Sequence, residues 1–251
     1  ELAAAGCVSA RAEAAWLLEE AADQEALEAM VARRATGEPL QYVIGWAPFG
    51  PLRLRVGPGV FVPRPETEGL ADRAAGHLRA AARPRVAVDL CTGSGAIACF
   101  LAAEVPGARV LATELDPGAL AWARGNAERF GVELLAGDLD QPLPAELAGQ
   151  VDVLCANVPY VPSGAIATLP RDVRDHEPLL ALDGGPDGLD VLRRLAATAA
   201  RWLAPGGRLL CEIGESQAEA ATTLLSAAGL VDVTVHPDLA DRDRVLEATR
   251  P

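Results

Sequence analysis

From Pro84 onward the chain alternates short apolar runs with helical stretches, and this alternation most narrows what it can fold into. Candidate strands fall at 86–90, 109–115, 132–137, 151–157, 208–214, 231–236 and 244–248, and candidate helices at 96–103, 117–130, 189–203 and 216–228. Strands that are apolar along nearly their whole length need cover on both faces, so the pattern predicts an α/β fold around a mostly parallel sheet. In such sheets ligands bind beyond the carboxyl ends of the strands, near the point where the strand order reverses. Three acids, a pair of glycines and the tetrapeptide Asn157-Val158-Pro159-Tyr160 fall at those ends.

The residues before Pro84 read differently. Ser9 and Asp23 stand as N-caps, Leu27, Met30 and Val31 fall at i, i+3 and i+4, and Gly37 follows basic residues as a stop, so 9–34 is expected to be helical. Over 41–63 aromatic and β-branched residues alternate with Gly and Pro, which predicts a hairpin or an extended linker, and Pro65 opens a helix expected to run to Ala82. The expected organisation is a helical region over 1–40, a hairpin or linker over 41–64, and one large domain over 65–251. The sequence begins at Glu1 rather than at a methionine, as a chain missing or trimmed at its N-terminus would.

Composition removes several function classes. With 251 residues, half of them apolar, the chain can bury a full core. It has no run of 18 apolar residues, and Arg11, Glu13, Glu19 and Glu20 interrupt the Ala-rich opening, so neither a membrane span nor a cleavable signal is expected and the cytoplasm is the expected compartment. A net charge of −13 without a basic stripe repels phosphate backbones, so no direct nucleic-acid partner is expected. The five cysteines are odd in number and form no CxxC, which argues against a disulfide framework and against a metal site; Cys155 and Cys211 lie in apolar strands as small hydrophobes. His77, His176 and His236 show no catalytic spacing and are expected at the surface or in turns.

The run Asp89-Leu90-Cys91-Thr92-Gly93-Ser94-Gly95 places a carboxylate at the end of the first candidate strand and two glycines ahead of a helix, where backbone can approach a ligand closely. Gly93-x-Gly95-x-x-Ala98, with Glu114 following at the end of the next strand, also satisfies a dinucleotide fingerprint, and a tight turn with no ligand fits too. Asp89 helps to separate these readings, since it repels a pyrophosphate, whereas S-adenosylmethionine carries a cationic amino group and sulfonium and no phosphate. Glu114 has two oxygens for the ribose hydroxyls, and Asp138 ends the third strand where an acceptor can take the adenine amino proton. The expected cofactor contacts are Asp89, Cys91, Thr92, Gly93, Gly95, Glu114, Leu115, Asp138, Leu139 and Asn157, with S-adenosylhomocysteine as the product form.

The fourth strand runs straight into Asn157-Val158-Pro159-Tyr160, the expected catalytic segment. An amide nitrogen is a poor nucleophile because its lone pair is delocalised into the carbonyl, so catalysis must aim that lone pair at the methyl group while accepting the amide protons. Asn157 can donate to an amide oxygen and accept from its nitrogen, the Val158 carbonyl can take the other proton, and Tyr160 can pack on the flat group. An Asx-Pro turn closing a strand is the plainer alternative.

Together with Gly37-Glu38-Pro39-Leu40-Gln41-Tyr42, the run from Pro58 to Glu68, Glu177-Pro178, the run from Ala181 to Leu189 and Glu212-Ile213-Gly214, these segments resemble the protein-glutamine N-methyltransferases of the HemK/PrmC type from about Gly37 to the end. The resemblance implies a seven-stranded, Rossmann-like class I methyltransferase sheet. It also implies S-adenosylmethionine as donor and an exposed glutamine of a protein as acceptor, a release factor or a ribosomal protein first of all. Three departures stand out. Cys91 takes a usual glycine position, which costs little if its φ is negative; the helical region before Gly37 is short for the family; and Val158 replaces the first proline of Asn-Pro-Pro-Tyr, as in a side branch of the family. An adenine-N6 DNA methyltransferase, a non-catalytic relative and a nicotinamide enzyme are the rivals. Arg64 and Glu66 lie in a loop that could close over the cofactor or receive the substrate, and the sequence assigns neither a chemical step.

Overall fold

The computed structural model describes residues 1–81 and 84–251. It opens with helices α1 (Ala10–Glu20) and α2 (Gln24–Ala35) and the short α3 (Leu40–Ile44), followed by strands β1 (Trp46–Phe49) and β2 (Leu52–Arg55), which pair antiparallel. Asp23 caps α2 through its carboxylate on the Ala26 N–H, whereas Ser9 precedes α1 without a side-chain cap bond. Tyr42, Val43 and Ile44 do not extend into the hairpin. Pro39 opens a helical turn around them, Gly45 closes it in the left-handed region, and the Tyr42 hydroxyl donates to the Val60 carbonyl. Tyr42 thereby joins Ala47, Val56, Val60, Val62 and Ala119 in a small core.

Helix α4 (Pro65–Ala80) leads into the sheet, and its expected end at Ala82 lies outside the described residues. The sheet is built from β3 (Val86–Leu90), β4 (Arg109–Glu114), β5 (Glu133–Ala136), β6 (Val151–Ala156), β7 (Leu203–Glu212), β8 (Val231–Pro237) and β9 (Asp243–Thr249) in the order β5-β4-β3-β6-β7-β9-β8. Pairing is parallel except at β9, which runs antiparallel to both neighbours. Residues of β3 alternate between two cores, as the two-residue period of a strand requires: Val86, Val88 and Leu90 join Leu192, Leu195 and Trp202 of helix α8 (Asp190–Trp202), and Ala87 joins Leu70 and Leu78 of α4 and Leu101 of helix α5 (Ala96–Glu104). Helices α6 (Pro117–Phe130) and α9 (Ala218–Ala227) complete the two helical layers.

Each expected strand is present to within a few residues. β7 begins at Leu203 instead of 208, because Leu203 pairs with Val151 ahead of a break in register that accommodates Pro205-Gly206-Gly207. Between β6 and α8 the chain forms helix α7 (Arg171–His176) and 3₁₀ turns at Ser163–Thr168 and Leu179–Ala181. His77 and His236 belong to α4 and β8 instead of turns, and both reach the Glu247 carboxylate, at 2.8 and 3.3 Å. Among the described residues no helix is long and apolar enough to cross a membrane.

Candidate active site

The strand order reverses between β3 and β6, whose pairing sets Leu90 beside Ala156. The cofactor loop after β3 and the tetrapeptide after β6 are therefore neighbours across the switch point. A cleft opens there, lined by Cys91, Thr92, Gly93, Glu114, Leu115, Asp138, Leu139, Asn157, Pro159 and Tyr160 among the expected residues. Asp89, Gly95 and Val158 do not line it.

Val158 is 2% exposed and packs in the core that contains Leu189 and Ile213, so only its main chain is available to a ligand. Asp89 lies fully buried beneath the loop: its Oδ2 accepts the Thr92 hydroxyl at 2.5 Å and the Ala98 N–H at 3.2 Å, and its Oδ1 has no partner among the described residues. Burial pushes its pKa up to about 7, against the pull of those two donors. The loop above reverses sharply, with positive φ at Cys91 (57°), Gly93 (58°) and Gly95 (87°). The negative φ expected for Cys91 is thus overturned: the helix start at Ala96 and the two donors to Asp89 hold the loop in a turn that a side chain at 91 must tolerate.

Glu114 closes β4 at the cleft wall, and three backbone N–H groups hold it, Gly93 on Oε2 and Leu115 and Asp116 on Oε1, at 2.8–2.9 Å. Three of its roughly four acceptor positions are thus taken, which fixes the carboxylate and leaves one for a ribose hydroxyl. Burial raises its pKa despite those donors. Asp138 pairs through Oδ2 with Arg194 of α8 at 2.6 Å. Arg194 is the one cationic residue in the lining among the described residues, and it is already neutralised.

This donor set fits S-adenosylmethionine and not a pyrophosphate. Among the described residues Glu114, Asp116, Asp138 and Asp183 line the cleft against a single arginine that is already paired, a surplus of acceptors that suits a cationic ligand and repels phosphate. Asn126 of α6, fully buried, keeps the loop in place: its Nδ2 donates to the carbonyls of Ser94 and Arg55, and its Oδ1 accepts the Arg55 N–H. The sequence offered one overlooked signal for it, a polar amide on the buried face of an otherwise Ala-rich helix.

Beyond β6, Asn157 Nδ2 donates to Thr67 Oγ1 at 3.2 Å, Thr67 donates to Glu212 Oε2 at 2.6 Å, and the Tyr160 hydroxyl donates to Glu212 Oε1 at 3.0 Å. Glu212 ends β7 with 1% exposure, and burial raises its pKa while Thr67, Tyr160 and Arg244 oppose the rise. Gln217 anchors the tetrapeptide from behind, donating to the carbonyls of Tyr160 and Asp187 and accepting the Gly214 N–H. Arg64 and Glu66 do not line the cleft; Arg64 pairs with Glu177 and stacks on Phe61, and Glu66 pairs with Arg242. Glu177 is buried with one unpartnered oxygen and a pKa pushed up to about 7, chiefly by burial.

A family model described as methyltransferase domain matches residues 87–176, and one described as PrmC N-terminal domain matches residues 20–45. The release factor glutamine methyltransferase of Mycolicibacterium smegmatis is 48% identical over 233 residues, covering 91% of this chain and 82% of its own. That of Streptomyces coelicolor is 46% identical over 224 residues, covering 88% and 79%. Among solved structures, a methyltransferase from Pyrococcus furiosus superposes with a TM-score of 0.56 at 19% identity over 79% of this chain and 89% of that one, a likeness of fold.

Proposed function

The chain belongs to the family of release factor glutamine methyltransferases, and from that premise we propose that its cleft moves a methyl group from S-adenosylmethionine to the side-chain amide nitrogen of an exposed glutamine in a release factor, with Asn157 holding the amide. The observation that carries this reading is the position of Asn157: it stands in the cleft directly after β6, beside the cofactor loop, with its Nδ2 engaged by Thr67.

S-adenosylmethionine supplies a methyl group on a sulfonium and departs as S-adenosylhomocysteine. The residues of the chain bind, orient and accept. Asn157 Oδ1 takes one proton of the substrate amide, its second N–H meets the substrate carbonyl oxygen, and the Val158 main-chain carbonyl takes the other amide proton. Tyr160, fixed through its hydroxyl, presents its ring to the flat amide. The new C–N bond forms as the C–S bond breaks, and the nitrogen releases a proton only once it is cationic, so no strong base is needed beforehand. Glu114 and Asp138 are the proposed partners of the donor's ribose and adenine groups, Cys91, Thr92, Gly93, Leu115 and Leu139 shape the pocket around it, and Asp89 and Gly95 act from beneath, Asp89 on the charge of the donor's amino group and Gly95 on the shape of the loop.

The same reading divides the chain into a helical region over 1–40, a hairpin segment over 41–64 and a methyltransferase domain over 65–251, and places its work in the cytoplasm without direct nucleic-acid contact. The net charge of −13 supports the last point and disfavours a DNA acceptor. The test is incubation of the purified protein and labelled S-adenosylmethionine with a bacterial release factor, with the same factor lacking its glutamine, and with duplex DNA. Label on the intact factor alone is expected, and Asn157→Ala should abolish it while S-adenosylmethionine affinity stays within a few fold. Label on DNA and on no protein sinks the reading.

A further inference from the structure

Resting on that reading, we infer that Glu212 and Thr67 are positioning residues that fix which face of the Asn157 amide meets the substrate. Thr67 comes from the first turn of α4, Glu212 from the last residue of β7 and Asn157 from the residue after β6, and the β6–β7 pairing of Ala156 with Cys211 brings the last two side by side. Thr67 and Glu212 meet in a dry setting, 4% and 1% exposed, behind Asn157, which lines the cleft.

The orientation follows from counting protons. An ionised carboxylate only accepts, so it takes the hydroxyl protons of Thr67 on Oε2 and of Tyr160 on Oε1. The Thr67 bond, at 2.6 Å, has the length of an O–H donor on a charged acceptor. With its single proton spent, the Thr67 oxygen offers Asn157 only a lone pair, and Asn157 must answer with Nδ2. That leaves Asn157 Oδ1 and one N–H for the substrate, the pair a primary amide needs. The opposite rotamer sets an NH₂ group against the substrate NH₂, two donors with no acceptor between them.

Burial raises the pKa of Glu212, and Thr67, Tyr160 and Arg244 of β9, whose guanidinium lies 5.9 Å from the centroid of the Tyr160 ring, pull toward the ionised form. Glu212 is not the base that collects the amide proton, because both of its oxygens are occupied and the residue does not line the cleft. One carboxylate thus holds both polar side chains of the tetrapeptide, Asn157 through Thr67 and Tyr160 directly.

The test compares Thr67→Val, Thr67→Ser and Glu212→Gln with the unsubstituted protein, reading kcat on a release factor and the Kd of S-adenosylmethionine, with Asn157→Ala measured alongside. Val keeps the shape of Thr without the hydroxyl. Gln turns one of the two acceptors into a donor, so one of the two hydroxyls must receive from it: Thr67, whose proton then goes to Asn157 and reverses the amide, or Tyr160, whose hydroxyl is then no longer held as a donor. Thr67→Val and Glu212→Gln should each lose about 10²-fold in kcat, the usual size of a misplacement near reacting atoms. Thr67→Ser should recover at least about tenfold of that loss, worth 1.4 kcal/mol. The Kd should move less than about twofold, well under that same tenfold step.

Equal kcat for the Val and Ser variants, or an undiminished kcat in Glu212→Gln, overturns the positioning role if Asn157→Ala is inactive. Activity in Asn157→Ala instead overturns the underlying reading. A melting curve on each variant checks folding, and if Thr67→Val does not fold, the Glu212→Gln result decides.

Discussion

Gly188 is pressed against the carbonyl of Tyr160: a Cβ added at 188 would lie 2.2 Å from that oxygen and 2.5 Å from Gln217 Nε2. Its φ is +77°, so a side chain is disfavoured there by conformation as well as by space. The Gly-rich segment ahead of α8 is therefore a backing plate for the tetrapeptide, and Gly184 meets the Pro159 carbonyl in the same way, at 2.7 Å. Gly188→Ala is expected to lower stability by about 1–3 kcal/mol, the range for overpacking a dense site. Methyl transfer should fall with it while S-adenosylmethionine affinity holds, since the cofactor loop follows β3 and not β6. Denaturant midpoints beside single-turnover rates and calorimetry read the three quantities; an alanine variant of unchanged stability and rate contradicts the close contact.

Cys91 adopts the left-handed region at φ +57°. An L-residue there costs about 1–2 kcal/mol, of which glycine recovers part after its own larger unfolded-state entropy is counted. Removing the sulfur also removes some packing, so the informative comparison is Cys91→Gly with Cys91→Ala, which lack the thiol alike. Cys91→Gly should be the more stable by about 0.5–1 kcal/mol in urea unfolding under reducing conditions. Equal midpoints mean that residue 91 does not hold positive φ in solution.

The apolar alternation placed the seven strands and the helices that cover them, because burial on both faces of a parallel sheet writes itself into consecutive residues. Short-range chemistry was less visible. Tyr42, Val43 and Ile44 look like strand residues, and only Pro39, Gly45 and the distant carbonyl of Val60 make them a helical turn. The acids at the strand ends were legible as candidates one at a time. What joins Asn157 to Thr67 and Glu212 was not, since these residues are 90 and 55 positions away and meet only through the packing of α4 on the sheet. Cys91 shows the opposite limit: its residue type argued for negative φ, and the geometry of the loop prevailed.

Glu114 holds the loop after β3 through the Gly93 N–H, and its remaining acceptor position is the proposed partner of the donor's ribose. Glu114→Ala is expected to weaken S-adenosylmethionine binding by about 1–3 kcal/mol, the usual loss for a charged hydrogen bond. Glu114→Gln keeps the shape but puts an NH₂ group against backbone donors, so it should bind no better than the alanine variant. Calorimetric titration of both decides the matter; undiminished affinity in Glu114→Ala misplaces the ribose.

On the proposed reading, in which the donor's amino group sits over the loop that covers Asp89, donor binding is coupled to a proton. Its pKa is pushed up to about 7 in the ligand-free protein, above the 3.8 of an unperturbed aspartate, mainly by burial. The folded state therefore holds this proton more tightly than the unfolded state does. The contribution to stability is full below about pH 4 and is lost as pH rises through about 7. A cationic ammonium beside the carboxylate favours the ionised form, so binding must expel the proton wherever the ligand-free protein still carries it. S-adenosylmethionine affinity should rise between about pH 6 and about pH 8, roughly one unit either side of that value. Titrations in two buffers of different ionisation enthalpy should show net proton release near pH 6. Asp89→Asn removes the titrating group and should flatten that part of the profile while weakening binding at pH 8. If the asparagine variant keeps the full pH dependence, the proton belongs to another buried acid, with Glu177 and Glu114 the next to substitute.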